Sequence, residues 1–90
     1  MTPVRWTTEA AGQLEEIANH IREENPGAAQ VMIRTVLDRV AELRRFPFLG
    51  RPGERKGTRE LVSPPYVVVY RLRKGAAEIL HIWHGAQDWR

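Results

Sequence analysis

Two runs rich in β-branched and aromatic residues, close to the end of the chain, limit its possible folds more than any other feature. The first run is Tyr66–Arg73, the second covers residues 77–84, and the short segment Lys74-Gly75-Ala76 separates them. Because a short break containing glycine permits a tight turn, the two runs predict an antiparallel β-hairpin. The sequence before the hairpin is helical, and helices followed by strands favour a small α+β domain.

Two amphipathic helices are predicted in the first half of the chain. Thr7 is a candidate N-cap, and apolar residues then recur at helical spacing over residues 8–24. Asn25-Pro26 restarts the helix, since asparagine caps well and proline suits the first helical position. The second helix is predicted to end near Arg45. The short break between the two helices predicts an antiparallel helical hairpin.

Shorter segments complete the predicted order β-α-α-β-β-β, in a single domain over residues 1–90. Residues 4–6 and 58–62 are strand candidates. Residues 46–53 are predicted to form a loop, because proline and glycine interrupt them. We expect the apolar side chains of that loop to tuck beneath the sheet or the helices. These side chains are Phe46, Phe48 and Leu49.

The last predicted strand is apolar on both faces. Ile79, His81 and Trp83 alternate with Leu80 and Ile82, so the two sets should point to opposite sides of the sheet. One side is predicted to pack on the helices, and the other then needs a cover. The cover is either the C-terminal tail folding back or a partner chain.

Composition and charge restrict the classes of function. The chain has no cysteine, which excludes disulfides and thiolate metal sites. It lacks a long apolar run and a signal-like N-terminus, so we expect a cytoplasmic protein without membrane contact. The net charge of +3 is uneven, because residues 44–74 carry nine basic and two acidic side chains. This basic block is suited to RNA or an acidic protein partner, unless it is simply a solvated loop rich in arginine.

Several short motifs together resemble the ParE/RelE superfamily of toxins from bacterial type II toxin–antitoxin systems. In chain order they are Val4-Arg5-Trp6-Thr7, Asn25-Pro26, Phe46-Pro47 with Gly50-Arg51, Arg59-Glu60-Leu61, Tyr66 through Arg71, and His84-Gly85-Ala86 with Asp88-Trp89. The resemblance covers nearly the whole chain. It implies a curved antiparallel sheet packed on a helical hairpin, and a cognate antitoxin whose C-terminal segment wraps the toxin in a hetero-oligomer.

The superfamily has two activities, and the resemblance favours one. RelE-like members cut mRNA on the ribosome and use an arginine at the position that Val67 occupies here, often with a Tyr or His-Tyr ending. ParE-like members poison DNA gyrase and do not cut RNA. Here Gly85 follows His84 and no tyrosine lies beyond it. The chain therefore resembles the ParE-like branch and is expected not to be an enzyme; the alternatives are a RelE-like endonuclease and an inactive member that only binds antitoxin.

Each of these predicted functions has its own candidate site residues. RNA cleavage would need an acid or base and cations around a phosphate, and Arg59, Arg71 and His84 are the candidates. Each has a structural alternative, such as a hydrogen-bonded strand-end histidine or an arginine paired with a carboxylate. Neither a cofactor nor a metal is expected, because His81 and His84 should point to opposite faces of their strand. The residues expected to contact a partner are Arg71, Arg73, Ile79, His81, Trp83 and Trp89.

Overall fold

A computed structural model describes residues 1–85. The described residues form two α-helices, a 3₁₀ turn and a five-stranded sheet. The elements are β1 (Val4–Trp6), α1 (Thr8–Glu24), α2 (Pro26–Ala41), the 3₁₀ turn Glu42–Arg44, β2 (Arg51–Pro52), β3 (Thr58–Ser63), β4 (Tyr66–Arg73) and β5 (Ala76–His84). This α+β architecture confirms the predicted fold class.

Both helices begin where the sequence predicts. The Thr7 hydroxyl accepts a hydrogen bond from the Ala10 backbone N–H at 3.1 Å, and the Asn25 side chain accepts one from Ala28 at 3.1 Å. Each cap satisfies a backbone donor that the first helical turn leaves without a partner. The Thr7 hydroxyl also donates to the Ile79 carbonyl at 2.8 Å, which fixes the start of α1 against β5.

The sheet has the strand order β1-β5-β4-β3-β2. The pairs β2–β3, β3–β4 and β4–β5 are antiparallel, as the family resemblance implies. β1, however, pairs with β5 in parallel, so the sheet is mixed at that edge. A parallel pair needs a long connection, which the helices and three intervening strands supply. The two-residue strand β2 also lies in a segment predicted to be loop.

The predicted hairpin is confirmed, and its turn explains the Lys-Gly break. Lys74 and Gly75 have φ angles of 52° and 76°. Two successive residues with positive φ are typical of the two-residue hairpin turns whose twist matches that of the flanking strands.

An extra residue in β5 changes which side chains reach the core. Val69 pairs with His81 but Tyr70 pairs with Ile79, so Leu80 is a β-bulge. The bulge reverses the alternation, and both Ile79 and Ile82 point toward the helices, with relative exposures of 0% and 2%. The prediction that Ile79 shares the outer face with His81 and Trp83, and there contacts a partner, is therefore wrong.

Candidate functional site

The outer face of the sheet, on the side away from the helices, carries three rows of side chains that follow from the strand registers. A charged row lies at the hairpin-turn end, a mixed row lies in the middle, and an aromatic and aliphatic row lies at the other end. The charged row consists of Arg5, Glu78, Arg71 and Thr58. The middle row consists of His81, Val69 and Glu60. The third row consists of Trp83, Val67 and Val62.

The middle and third rows of this face contain neither lysine nor arginine, and their central side chains are largely buried. Val67 and Val69 retain only 6% and 8% of their exposure, although they point away from the helices. Beside them lies Glu60, 5% exposed, whose carboxylate accepts hydrogen bonds from Arg51 at 3.0 Å. The face that the sequence predicts to need a cover is thus largely buried at its centre. A cavity of ≈ 180 Å³ remains there, lined by Glu54, Arg55, Thr58, Glu60, Val69, Leu80, His81 and Trp83.

The charged row is internally paired. Arg71 Nε donates to Glu78 Oε1 at 2.7 Å, with both side chains partly exposed. This hydrogen bond, together with the nearby positive charges of Arg71, Arg73 and Arg5, holds the pKa of Glu78 below its usual value. Arg73 is exposed at the end of β4. This end of the face can therefore attract a carboxylate or a phosphate, although Arg71 already has an anionic partner.

Arg59 lies on the opposite face of the sheet from Arg71. It pairs with Tyr70, whereas Arg71 pairs with Thr58. The Arg59 guanidinium donates to the carbonyls of Gly50 at 2.6 Å and Phe48 at 3.3 Å. Arg59 thus holds the loop before β2.

His84 lies at the far end of the sheet from Arg71. It pairs with Tyr66 across the hairpin, and their rings meet edge to face with centroids 5.6 Å apart. Tyr66 and Arg71 are five positions apart along β4, which is roughly 17 Å at about 3.3 Å per residue. The structure therefore does not bring together the nuclease candidates Arg59, Arg71 and His84.

His81 and Trp83 form one aromatic unit on the outer face. Their rings stack with centroids 5.3 Å apart and an interplanar angle of 15°. His81 Nδ1 also lies 3.3 Å from a carboxylate oxygen of Glu9, at the start of α1. Trp89, the last predicted contact residue, lies outside the described residues.

The loop before β2 is exposed on the surface, whereas the sequence predicts that its apolar side chains are buried. Phe46, Phe48 and Leu49 are 58%, 67% and 39% exposed, so the prediction that they tuck beneath the sheet or the helices is wrong. Tyr70 and Arg59 occupy that inner position instead. Only the proline and glycine of the segment indicated a surface loop.

Comparisons with known proteins identify the family. A model of the ParE toxin of the type II toxin–antitoxin system parDE matches residues 4–89. The chain belongs to the ParE toxin family. A putative toxin, Y4kP, of Sinorhizobium fredii is 39% identical over 96% of this chain and 91% of its own length. The toxin RelE2 of Caulobacter vibrioides is 34% identical over 97% and 99% of the two chains.

Solved structures agree with the ParE family fold. A chain from the chromosomal ParDE system of P. aeruginosa superposes with a TM-score of 0.84 at 27% identity, and 93% of this chain and 96% of that chain are covered. A chain of the RelBE2 toxin–antitoxin complex of Mycobacterium tuberculosis has the same fold, with a TM-score of 0.62 at 24% identity and coverages of 92% and 96%. This ParE-family chain is therefore the toxin of a type II toxin–antitoxin module. Within residues 1–85, neither of the two helices is long and apolar enough to cross a membrane.

Proposed function

We propose that this toxin inhibits DNA gyrase and is neutralised by a cognate antitoxin. The family supplies the expectation, and the centre of the outer face is the observation that carries it. There, Val67 stands where RelE-like nucleases are expected to have an arginine, and its neighbour Val69 is also buried. Stabilising charge on a reacting phosphate needs positioned donors, and removing one typically costs about 100- to 1,000-fold in rate.

The surroundings of Val67 do not replace that missing cation. Glu60, in the adjacent row, adds a buried carboxylate, and Arg51 is paired with it. A phosphate placed there would meet aliphatic side chains and the Glu60 carboxylate, which oppose its binding, although Arg55 also lines the adjoining cavity. Among the described residues, the three nuclease candidates lie on different faces or at different ends of the sheet. This dispersion supports a toxin that acts without cleaving RNA.

Two surfaces are suited to the antitoxin. An acidic segment would pair with Arg71 and Arg73 and pack near His81 and Trp83, while Trp89 remains a contact expected from the sequence. The groove between α1 and α2, with a volume of ≈ 350 Å³, would accept the apolar side of an amphipathic segment. Its apolar lining includes Trp6, Leu14, Ile33 and Leu37.

One experiment separates the two toxin mechanisms. Purified toxin is added in parallel to a gyrase supercoiling reaction and to a ribosomal translation reaction, each with and without the antitoxin. We expect loss of supercoiling that the antitoxin reverses, and intact mRNA. The His84→Ala variant should keep its toxicity better than a chain lacking Trp89 and Arg90, provided that the shortened chain folds.

The runner-up is a ribosome-dependent mRNA endonuclease. One observation favours it, namely the 34% identity to a relative named Toxin RelE2. Discrete mRNA cuts that disappear in His84→Ala would establish this alternative and refute the gyrase proposal. An inactive, antitoxin-binding member would instead inhibit neither reaction.

A further inference from the structure

The loop formed by residues 46–50 exposes three large apolar side chains next to one another in sequence. Phe46 is 58% exposed, Phe48 67% and Leu49 39%. Exposing such side chains is unfavourable, because moving apolar surface out of water stabilises a protein. Single exposed apolar residues are common, whereas contiguous exposed apolar patches usually mark sites of interaction. We refer to Phe46, Phe48 and Leu49 as the aromatic loop.

The aromatic loop is fixed in place from below. The buried Tyr70 hydroxyl donates to the Pro47 carbonyl at 2.8 Å and accepts from the Gly50 N–H at 2.9 Å. Arg59 donates to two further loop carbonyls. Gly50 lies so close to β4 that an added Cβ would be 2.7 Å from Tyr70 Cε1. The backbone is thus held by the buried Tyr70 and the partly buried Arg59, while the apolar side chains face outward.

This arrangement differs from that of a loosely attached surface loop. A flexible apolar loop can fold against the nearest apolar surface, whereas this backbone holds its side chains away from the core. A rigid anchor loses less conformational freedom when it binds, so pre-ordering increases affinity. The geometry is therefore that of a preformed binding surface.

Two guanidinium groups lie against the rings of the aromatic loop, in a segment of the sequence rich in basic residues. The Arg45 guanidinium lies 5.9 Å from the Phe46 ring centroid, and that of Arg59 lies 4.9 Å from the Phe48 centroid. Between residues 44 and 59 there are six basic side chains and a single acidic one, Glu54. The basic side chains are Arg44, Arg45, Arg51, Arg55, Lys56 and Arg59. Apolar anchors with a cationic rim complement an apolar pocket rimmed by carboxylates.

We propose that the aromatic loop is the surface by which the toxin binds its target protein, at an apolar pocket with an acidic rim. The proposal rests on the proposed function, under which that protein is gyrase. A protein fits better than a nucleic acid, because Leu49 has no ring to stack on a base and one face of each phenylalanine ring already lies near a guanidinium. The loop is also separate from the surfaces assigned to the antitoxin, since none of its three apolar side chains lines the helical groove or the outer-face cavity.

Two variants of the full-length toxin test this proposal. The double variant Phe46→Ala, Phe48→Ala removes the anchors, and Arg45→Glu reverses one charge of the rim. Val31→Ala and Arg34→Glu are matched controls, because both residues are exposed on α2 and Val31 is 66% exposed. For each chain, growth inhibition, gyrase inhibition, antitoxin affinity and Tm are measured.

We expect the double variant to lose at least about tenfold in inhibitory potency, since a few buried anchor residues carry most of the binding energy of an interface. Arg45→Glu should lose potency in the same direction, and the two controls should match the wild type. Antitoxin affinity and Tm should stay unchanged in all four. This combination would separate target binding from folding and from neutralisation.

Four results would overturn the proposal. The first is wild-type potency in the double variant, and the second is a loss of its antitoxin affinity equal to its loss of potency. The third is a toxin dimer that the double variant dissociates. The fourth is tight binding of a single-stranded oligonucleotide probe that the double variant abolishes. If the wild type inhibits growth but not purified gyrase, the gyrase proposal fails, and the growth assay still tests the loop. A wild type that does not inhibit growth would refute both.

Discussion

The outer face of the hairpin and the aromatic loop contrast in how their side chains are covered. On the outer face, Val67 and Val69 are buried even though they point away from the helices. In the aromatic loop, Phe46 and Phe48 are exposed even though they are larger and equally apolar. From the sequence, the outer face is expected to need a cover from the C-terminal tail or a partner chain, whereas the loop is expected to be hidden.

The contrast shows that burial depends on the polar groups that fix the backbone as well as on hydrophobicity. On the outer face, cross-strand neighbours such as Trp83 and Glu60 pack beside the valines. In the loop, the inner position is taken by Tyr70 and Arg59, whose hydrogen bonds satisfy backbone groups that would otherwise lack partners. Aromatic side chains of the loop are left outside as a result.

The largest expected effect is the loss of stability in Ile79→Ala, which tests whether the bulge places Ile79 on the core side of the sheet. Because Ile79 is fully buried in the core, Ile79→Ala should lower the free energy of unfolding by about 2–5 kcal/mol. Leu80→Ala, at the neighbouring bulge position, should cost clearly less, since Leu80 is only partly buried. Urea denaturation of the two variants measures both values. Equal losses would contradict the placement of the bulge.

A smaller effect is expected when the support of the aromatic loop is removed. Tyr70→Phe leaves the Gly50 N–H and the Pro47 carbonyl without their hydroxyl partner, which should cost about 1–3 kcal/mol. Phe48→Ala, on the exposed side of the same loop, should change stability little. A Tyr70→Phe variant as stable as the wild type would show that the hydroxyl does not fix the loop.

Tyr70 also predicts how stability changes at alkaline pH. Burial raises the pKa of Tyr70 above its ordinary value of 10.0, and the Gly50 hydrogen bond and the Arg59 charge oppose this only in part. Above pH 10 the unfolded chain therefore loses the phenolic proton before the folded chain does, and stability falls as pH rises. Thermal melts between pH 9 and pH 11 should show a steeper decline for the wild type than for Tyr70→Phe. Parallel curves would exclude this contribution.

The smallest effect concerns the charged row of the outer face. Because the hydrogen bond from Arg71 lowers the pKa of Glu78, the pair should stabilise the fold above the ordinary Glu pKa of 4.5 and lose this contribution as pH falls through the lowered pKa. The effect should be small, since the pair is partly exposed to solvent. Glu78→Gln should flatten the acid side of the stability profile, measured as Tm against pH. If Glu78→Gln has the same stability profile as the wild type, the Arg71–Glu78 pair does not stabilise the fold.

Much of the fold could be predicted from local signals. Thr7 and Asn25 cap the helices where expected, and the Lys74-Gly75 turn forms the predicted hairpin, because each depends on a few adjacent residues. The parallel pairing of β1 and the Leu80 bulge could not be predicted, because both depend on register between distant segments. The misassignment of Ile79 followed directly from counting alternation through an undetected bulge.

The candidate site was less predictable than the fold. Their charge makes Arg59 and Arg71 candidate phosphate ligands, but the sequence does not show which face of the sheet each side chain takes, because a turn separates their strands. Their registers put them on opposite faces. The exposure of Phe48 depends on Tyr70 occupying the space beneath the loop, where its hydroxyl donates to the carbonyl of Pro47, 23 positions away in the chain. No local pattern signals such a contact.

The central claim is that the toxin acts on gyrase and does not cleave mRNA. The most direct test examines both targets in one culture in which the toxin is induced. DNA breaks covalently linked to gyrase and the 5′ ends of all mRNAs are mapped from the same cells, with and without antitoxin. The account predicts gyrase-linked breaks that increase with induction and disappear with antitoxin, while mRNA ends stay at the uninduced level. New mRNA ends within ribosome-bound codons, without gyrase-linked breaks, would contradict it.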